Sequence, residues 1–277
     1  VFNGFTQMPA VIGFFSVLFL SLAAALAVAV LGLNSRVLSA FAGAVLAVFP
    51  PMGYTYLYLF TASAYAFAIL CAVLAVWLAA KGGFPRWLAA VCLLAISMGT
   101  YQAYAAVAVA FSLLSVLRAA LLPQSTVKQT SLLGLRLVCF LLSGALLYYG
   151  ILQIFLAVKD LELLDYLGMS QTGMGTLLLQ LPRLVLTAYK QVISFFLLPG
   201  GSNSFTTPFF AALTLLLAVC AMGCLLSLWT RGDRRQGWRV AGTLVMLALL
   251  PLGAGFAQVI APFSDATPIM KYAYVSL

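Results

Sequence analysis

Long apolar runs separated by short basic or glycine- and proline-rich breaks fill this chain from end to end. A bilayer core of about 30 Å is crossed by about 20 apolar residues of helix. Residues 9–33 are uncharged and exceed that length, which predicts a first, tilted span. Asn34-Ser35-Arg36 ends it. A second span over residues 37–50 breaks at Pro50-Pro51-Met52-Gly53, because neither proline donates a backbone hydrogen bond. The third covers residues 54–80 and stops at Lys81-Gly82-Gly83-Phe84-Pro85-Arg86. Further spans are predicted over residues 87–97, 103–122, 131–158, 209–229 and 240–260, the first of these being short. A membrane barrel would instead show alternating segments of about 10 residues. The pattern predicts an all-α polytopic membrane protein with about eight transmembrane helices. All of residues 1–277 belong to that single transmembrane domain.

Lys and Arg mark the cytoplasmic side of such proteins. Placing Arg36, Lys81, Arg86, Arg118, Lys128, Arg136, Arg231, Arg234, Arg235 and Arg239 there gathers 10 of the 14 basic residues on one side. Lys159, Arg183, Lys190 and Lys271 stay outside. So do Asp160, Glu162, Asp165 and Asp265, four of the five acids, while Asp233 falls inside. Residues 183–199 are apolar enough to suggest another span. Crossing there would turn the arginine-rich loop at 231–239 outward. Residues 159–208 are therefore predicted to be an extracytoplasmic segment with interfacial helices, Lys190 lying mid-way along the apolar stretch.

Composition sharpens the class. Hydrophobic residues make up 65% of the chain and charged ones 7%, with a mean hydropathy of +1.14. Soluble domains are about 45–50% apolar and about 25% charged, so a water-facing surface and a disordered chain are both excluded. The net charge of +9 is mostly topological, anchoring loops against anionic lipid. It lacks the clustered basic face that nucleic-acid binding needs. With no histidine, a Ser-His-Asp triad, a His-ligated zinc and a His proton relay are excluded. Cys71, Cys92, Cys139, Cys220 and Cys224 all lie inside apolar runs and read as packing residues.

Polar chemistry gathers at the extracytoplasmic ends. Residues 97–104 read Ser97-Met98-Gly99-Thr100-Tyr101-Gln102-Ala103-Tyr104 between two apolar runs. The run before them, 87–97, is about 17 Å long as a helix, too short to cross. The polar cluster is thus expected within the outer half of the membrane. Non-helical backbone is tolerated there only inside protein or beside a wet cavity. Thr100, Tyr101, Gln102 and Tyr104 are candidate cavity-lining residues, with packing and turn formation as the plainer reading. Tyr54, Tyr56, Tyr58 and Tyr65 read as an interfacial belt or as a stacking wall for a sugar. Asp160, Glu162, Asp165 and Asp265 are candidates for a general base or for holding a divalent cation, against a solvated face. Lys190, Arg183 and Lys271 could neutralise a lipid-linked phosphate or snorkel to headgroups. Gly168, Gly173 and Gly175 are not followed by a Lys-Ser or Lys-Thr pair, so they form no P-loop.

A short apolar helix ending in Ser-Met-Gly-Thr-Tyr-Gln-Ala-Tyr, after a tyrosine-rich helix start, resembles the bacterial serotype-modifying membrane glucosyltransferases, the glucosyltransferase II family. The likeness extends to span spacing over most of the chain, and its sharpest motif is Gly99-Thr100-Tyr101-Gln102. The resemblance implies a C-type glycosyltransferase fold in the bacterial cytoplasmic membrane, with its active side extracytoplasmic. It implies transfer of a sugar, glucose for this family, from a polyprenyl-phosphate carrier to a surface glycan such as O-antigen. Gly99, Thr100, Tyr101 and Gln102 carry over as family-motif positions with no individual role assigned; from the residues themselves, Tyr65, Thr100, Tyr101, Gln102 and Tyr104 are the candidates for binding substrate, and Arg183, Lys190 and Lys271 for the phosphate.

The family's catalytic acid usually follows the first span, in an outer loop. The first span here enters from outside and looks like the family's second. Residues 1–8 carry no acid, so the catalytic acid is expected upstream of Val1 and the chain reads as an inactive fragment. A transporter or flippase for lipid-linked glycans is the alternative. Transporters often carry internal repeats and mid-span charges, and neither stands out here.

Overall fold

Small residues decide which helices meet. The first helix, α1 (Pro9–Leu31), buries Ser16, Leu20, Ala23, Ala27 and Val30, spaced by three and four along one face. It packs on α4 (Leu59–Lys81). That helix buries two rows, Ala62-Ala66-Ile69-Val73-Val76 and Ala68-Ala72-Ala75-Ala79, none of them more than 1% exposed. Apolar side chains gain little from leaving lipid, so helices associate through close van der Waals packing and interhelical hydrogen bonds. Alanine rows permit that approach. On the other side of α4 lies α5 (Phe84–Thr100), where the Ser97 hydroxyl donates to the Ala68 carbonyl at 2.8 Å.

The computed structural model describes residues 8–122, 124–161, 174–198, 207–231, 237–257 and 267–277. Beyond α5, a 3-10 turn (Gln102–Tyr104) leads into α6 (Ala105–Leu121), and α7 (Val127–Lys159) follows. A capping box between Thr126 and Gln129 starts α7. At Gly144 of α7 a Cβ would lie 2.5 Å from Leu94 Cδ2, so glycine lets α5 and α7 close. Then come α8 (Met174–Leu197), α9 (Pro208–Arg231), α10 (Gly237–Ala254) and a C-terminal 3-10 segment (Pro268–Ser276). Helix α10 lies along α6, and α8 turns Leu184, Ala188, Val192 and Phe195 inward. Exposed leucines and valines on α7 and α9 give the bundle a lipid-facing surface.

Among the described residues, five helical segments are long and apolar enough to cross a membrane: α1, α4, α6 with its preceding turn, α7 and α10. The sixth candidate is bent. The run predicted as one span over 37–50 divides into α2 (Arg36–Val48) and α3 (Pro51–Leu57), which meet at 43°. Pro50 and Pro51 remove the two amide donors that would have continued α2. The third predicted span starts later than expected, at Leu59, because a second break falls at Tyr58. Helix α5 corrects a length. It spans 17 residues from Phe84, about 25 Å, rather than the 11 expected. Pro85 stands at its first turn and Arg86 follows within the helix, so a charge that looked like loop belongs to the span. The motif at residues 99–102 therefore lies nearer the bundle's end than the shorter helix implied. Of the predicted extracytoplasmic segment 159–208, residues 162–173 and 199–206 lie outside the described residues, and the described part is chiefly α8.

Two ends of the bundle differ chemically. At one end, Arg118 of α6 donates to the Val30 carbonyl of α1 at 3.0 Å, and Arg136 of α7 to the Ala80 carbonyl of α4 at 3.3 Å. Arg239 of α10 reaches the Ser125 carbonyl before α7 at 3.3 Å. The last carbonyls of a helix lack intrahelical partners, and Arg118 and Arg136 supply donors for those of α1 and α4. Gly32, in left-handed backbone, makes room: a Cβ there would sit 2.0 Å from the Arg118 guanidinium carbon. The predicted grouping of Arg36, Lys81, Arg118, Arg136 and Arg239 at one end thus matches the geometry. Replacing Ala72 by Leu should overpack the α1–α4–α5 contact and lower stability by about 1–3 kcal/mol. Leu142→Ala, on the lipid-facing side of α7, should change it far less; denaturant unfolding in micelles compares them.

Candidate functional site

At the end opposite these arginines, three tyrosines from two elements share one cluster. Tyr65 comes from the first part of α4. Tyr101 and Tyr104 come from the turn between α5 and α6, where Tyr101 is extended (φ −158°) and breaks the helix. The ring centroids of Tyr65 and Tyr101 are 5.2 Å apart, those of Tyr101 and Tyr104 5.1 Å, and those of Tyr65 and Tyr104 6.0 Å. Tyr65 and Tyr101 are half-buried, whereas Tyr104 is fully buried. The Tyr104 hydroxyl interacts with Thr55 of α3 without closing a hydrogen bond of ordinary geometry. Thr55 turns its own hydroxyl to the Met52 sulfur at 3.9 Å. A phenol in that setting can accept or donate to a polar ligand that enters the cluster.

Gln102 points elsewhere. Its side-chain amide donates to the Tyr148 hydroxyl of α7. Tyr148 in turn lines a cavity of about 450 Å³ between α5 and α7, with Ile96, Gly99, Ile151 and Phe155 among its walls. The groove is almost wholly apolar. Thr100 contributes less than its sequence position suggests, because its hydroxyl bonds back to the Ile96 carbonyl of its own helix at 3.0 Å.

The C-terminal 3-10 segment covers the tyrosine end. The Tyr272 hydroxyl donates to the Leu46 carbonyl of α2 at 2.7 Å, near the α2–α3 break. Phe49 at that break packs on Tyr272 and Phe195, and Phe195 on Tyr274. Backbone that leaves helical geometry at Phe49 is thereby buried in protein and that at Tyr101 half-buried, as a membrane interior demands, whereas the break at Tyr58 is exposed.

The remaining candidates divide. The expected Tyr54-Tyr56-Tyr58-Tyr65 group separates, with Tyr65 in the cluster, Tyr54 and Tyr56 on α3 and Tyr58 at the helix break. Arg183 and Lys190 are exposed on α8, and Lys271 is half-buried on the C-terminal segment. Asp160 is exposed and holds left-handed backbone (φ 49°) as the C-cap of α7, a conformation aspartate tolerates better than most residues. Glu162, Asp165 and Asp265 lie outside the described residues, as do Gly168 and Gly173. No group of three or more metal-ligating side chains occurs among the described residues. Tyr148, Thr55 and Tyr272 also join the site, without a sequence signal that marks them. Tyr148 was legible only as a polar tip inside an apolar run, and nothing local tied it to Gln102 46 residues earlier.

A family model for glucosyl transferase GtrII matches residues 1–275. The chain belongs to that family. No curated protein and no solved structure matches it. GtrII membership and the long apolar helices support a glucosyltransferase role in a membrane, in agreement with the resemblance carried by residues 99–102, and favour transfer over transport.

The unbonded Tyr104 hydroxyl gives a prediction. Tyr104→Phe should leave thermal stability unchanged or slightly higher, because no closed bond is lost. Ser97→Ala, which breaks the bond to Ala68, should lower it by about 0.6 kcal/mol. Thermal unfolding of the two variants in one detergent checks both.

Proposed function

We propose that this GtrII protein transfers glucose from a polyprenyl-phosphate carrier to a surface glycan such as O-antigen, at the tyrosine end of the bundle. The basic end then faces the cytoplasm, by the positive-inside rule. The transfer side is extracytoplasmic, in the bacterial cytoplasmic membrane. The same reading takes the helices as a C-type arrangement in which α2–α3, α5 and α9 complete about eight crossings.

The observation that carries this reading is the meeting of two unlike surfaces at residues 99–102. One is the Tyr65-Tyr101-Tyr104 cluster, whose faces and hydroxyls suit a sugar ring. The other is the apolar groove between α5 and α7, headed by Gln102 and Tyr148. A lipid-linked sugar has the same two halves joined by phosphate. Its chain would occupy the groove and its phosphate would pass the Gln102–Tyr148 pair. Its glucose would then stack on tyrosine. Arg183, Lys190 and Lys271, on the elements that surround this end, are the proposed charges for the leaving phosphate. A base for the acceptor hydroxyl is also required. Of the acids proposed for it, Asp160 already terminates α7.

Purified full-length protein, given radiolabelled glucosyl polyprenyl phosphate and a glycan acceptor, should form labelled glycan. Gln102→Leu and Tyr148→Phe each remove half of the pair and should lower transfer about tenfold, with little change in folding. Movement of the lipid across vesicles without transfer would reverse the assignment in favour of a flippase. Transfer from a soluble nucleotide sugar alone would overturn the lipid-linked donor.

A further inference from the structure

The basic end holds a second cavity, of about 320 Å³, bounded by α1, α4, α6 and α7. Its polar wall consists of Arg118, Lys81 and Ser115, and Trp77 forms part of the apolar wall. Ser115 is already bonded to the Phe111 carbonyl at 2.8 Å and is not free to bind. The two cations are. Arg118 uses one guanidinium nitrogen on the Val30 carbonyl, which leaves most of its five N–H donors. Lys81 places its ammonium 3.7 Å from the Trp77 ring centroid, and none of its three donors is hydrogen-bonded among the described residues.

Among the described residues neither cation has a carboxylate partner. Asp160, the only acidic side chain among the described residues, caps the far end of α7. Two fixed positive charges in a recess with no counter-charge among the described residues are arranged for an anion. The mouth says which kind. Leu122 lines it, and Leu121, Leu132 and Leu135 are exposed on the same ends of α6 and α7. An anion carrying acyl chains could lay them on those leucines, whereas a free ion could not. Basic pockets between transmembrane helices near the membrane surface bind anionic headgroups in this manner.

We propose that this pocket binds the phosphate headgroup of an anionic phospholipid, with Arg118 and Lys81 as its ligands. The bound lipid joins the ends of α6 and α4 through Arg118 and Lys81, with Arg118 also holding the end of α1. The inference is independent of the sugar chemistry at the opposite end.

Native mass spectrometry and thermal unfolding of the full-length protein in neutral detergent test it, with phosphatidylglycerol, phosphatidylcholine or inorganic phosphate added. Phosphatidylglycerol should bind preferentially over phosphatidylcholine and raise the midpoint of unfolding. Lys81→Gln removes one cation without breaking a hydrogen bond and should weaken that preference about fivefold, as one basic residue near a lipid surface is expected to. Arg118→Lys keeps the charge but has fewer donors, and should also weaken it. Lys159→Gln, at the far end of α7, makes the same change in net charge and should leave the preference intact. Equal binding of the two lipids would overturn the proposal. An equal loss in Lys159→Gln would also overturn it, by reducing the effect to overall charge. Stabilisation by inorganic phosphate as large as that by phosphatidylglycerol would assign the pocket to a free anion instead.

Discussion

Close approach of α4 to its neighbours is the constraint on which the rest of the bundle depends. Water pushes apolar helices together in a soluble protein, but lipid does not. What remains is contact area between backbones, and that requires small side chains where helices cross. Helix α4 meets the requirement on two faces at once, with Ala62, Ala66, Ala68, Ala72, Ala75 and Ala79 fully buried. Helix α1 fits one side, and α5 the other with the Ser97 hydroxyl bonded to Ala68. Once α5 is fixed against α4, the turn that follows α5 has one place to go. Tyr101 and Tyr104 then arrive beside Tyr65, and the site is a consequence of the packing.

Backbone bookkeeping accounts for the contrast between the two ends. Helix ends leave carbonyls or amides without intrahelical partners. At the basic end, arginines from a neighbouring element satisfy carbonyls of α1, α4 and the segment before α7. Their charge also suits the negative ends of α1 and α4. At the other end the break at Phe49 is buried in protein, where Tyr272 bonds to Leu46. Charge therefore collects where helices stop at the surface. Aromatic hydroxyls collect where helices stop inside the protein, which is a setting for recognising a neutral sugar.

The interrupted helices connect fold to chemistry. A continuous helix presents side chains but keeps its backbone occupied. The break at Phe49-Pro50 bends α2 from α3 and brings Thr55 against Tyr104. The extended Tyr101 likewise lets Tyr101 and Gln102 point to different surfaces, the tyrosine cluster and the α5–α7 groove. The proposed glucosyl transfer from an amphiphilic donor would need those two surfaces side by side, and the interruption at Tyr101 brings them together.

Hydropathy and charge are local properties, so the sequence alone determined the all-helical membrane class, the positions of the main apolar segments and the gathering of Arg118, Arg136 and Arg239 at one end. It also singled out residues 97–104, because polar groups between two apolar runs stand out without any knowledge of their neighbours. The length of α5 is not legible locally, because a charge beside Gly82, Gly83 and Pro85 has the composition of a loop, whereas the helix begins at Phe84 and includes Arg86. Only the tertiary structure decided that Tyr65 leaves its tyrosine neighbours for Tyr101, that Gln102 pairs with Tyr148, and that Tyr272 returns to Leu46 across 226 residues. The partner of a polar side chain inside a membrane depends on which helix faces pack together. That choice is made by the shape of small residues across several helices, and no single stretch of sequence contains it.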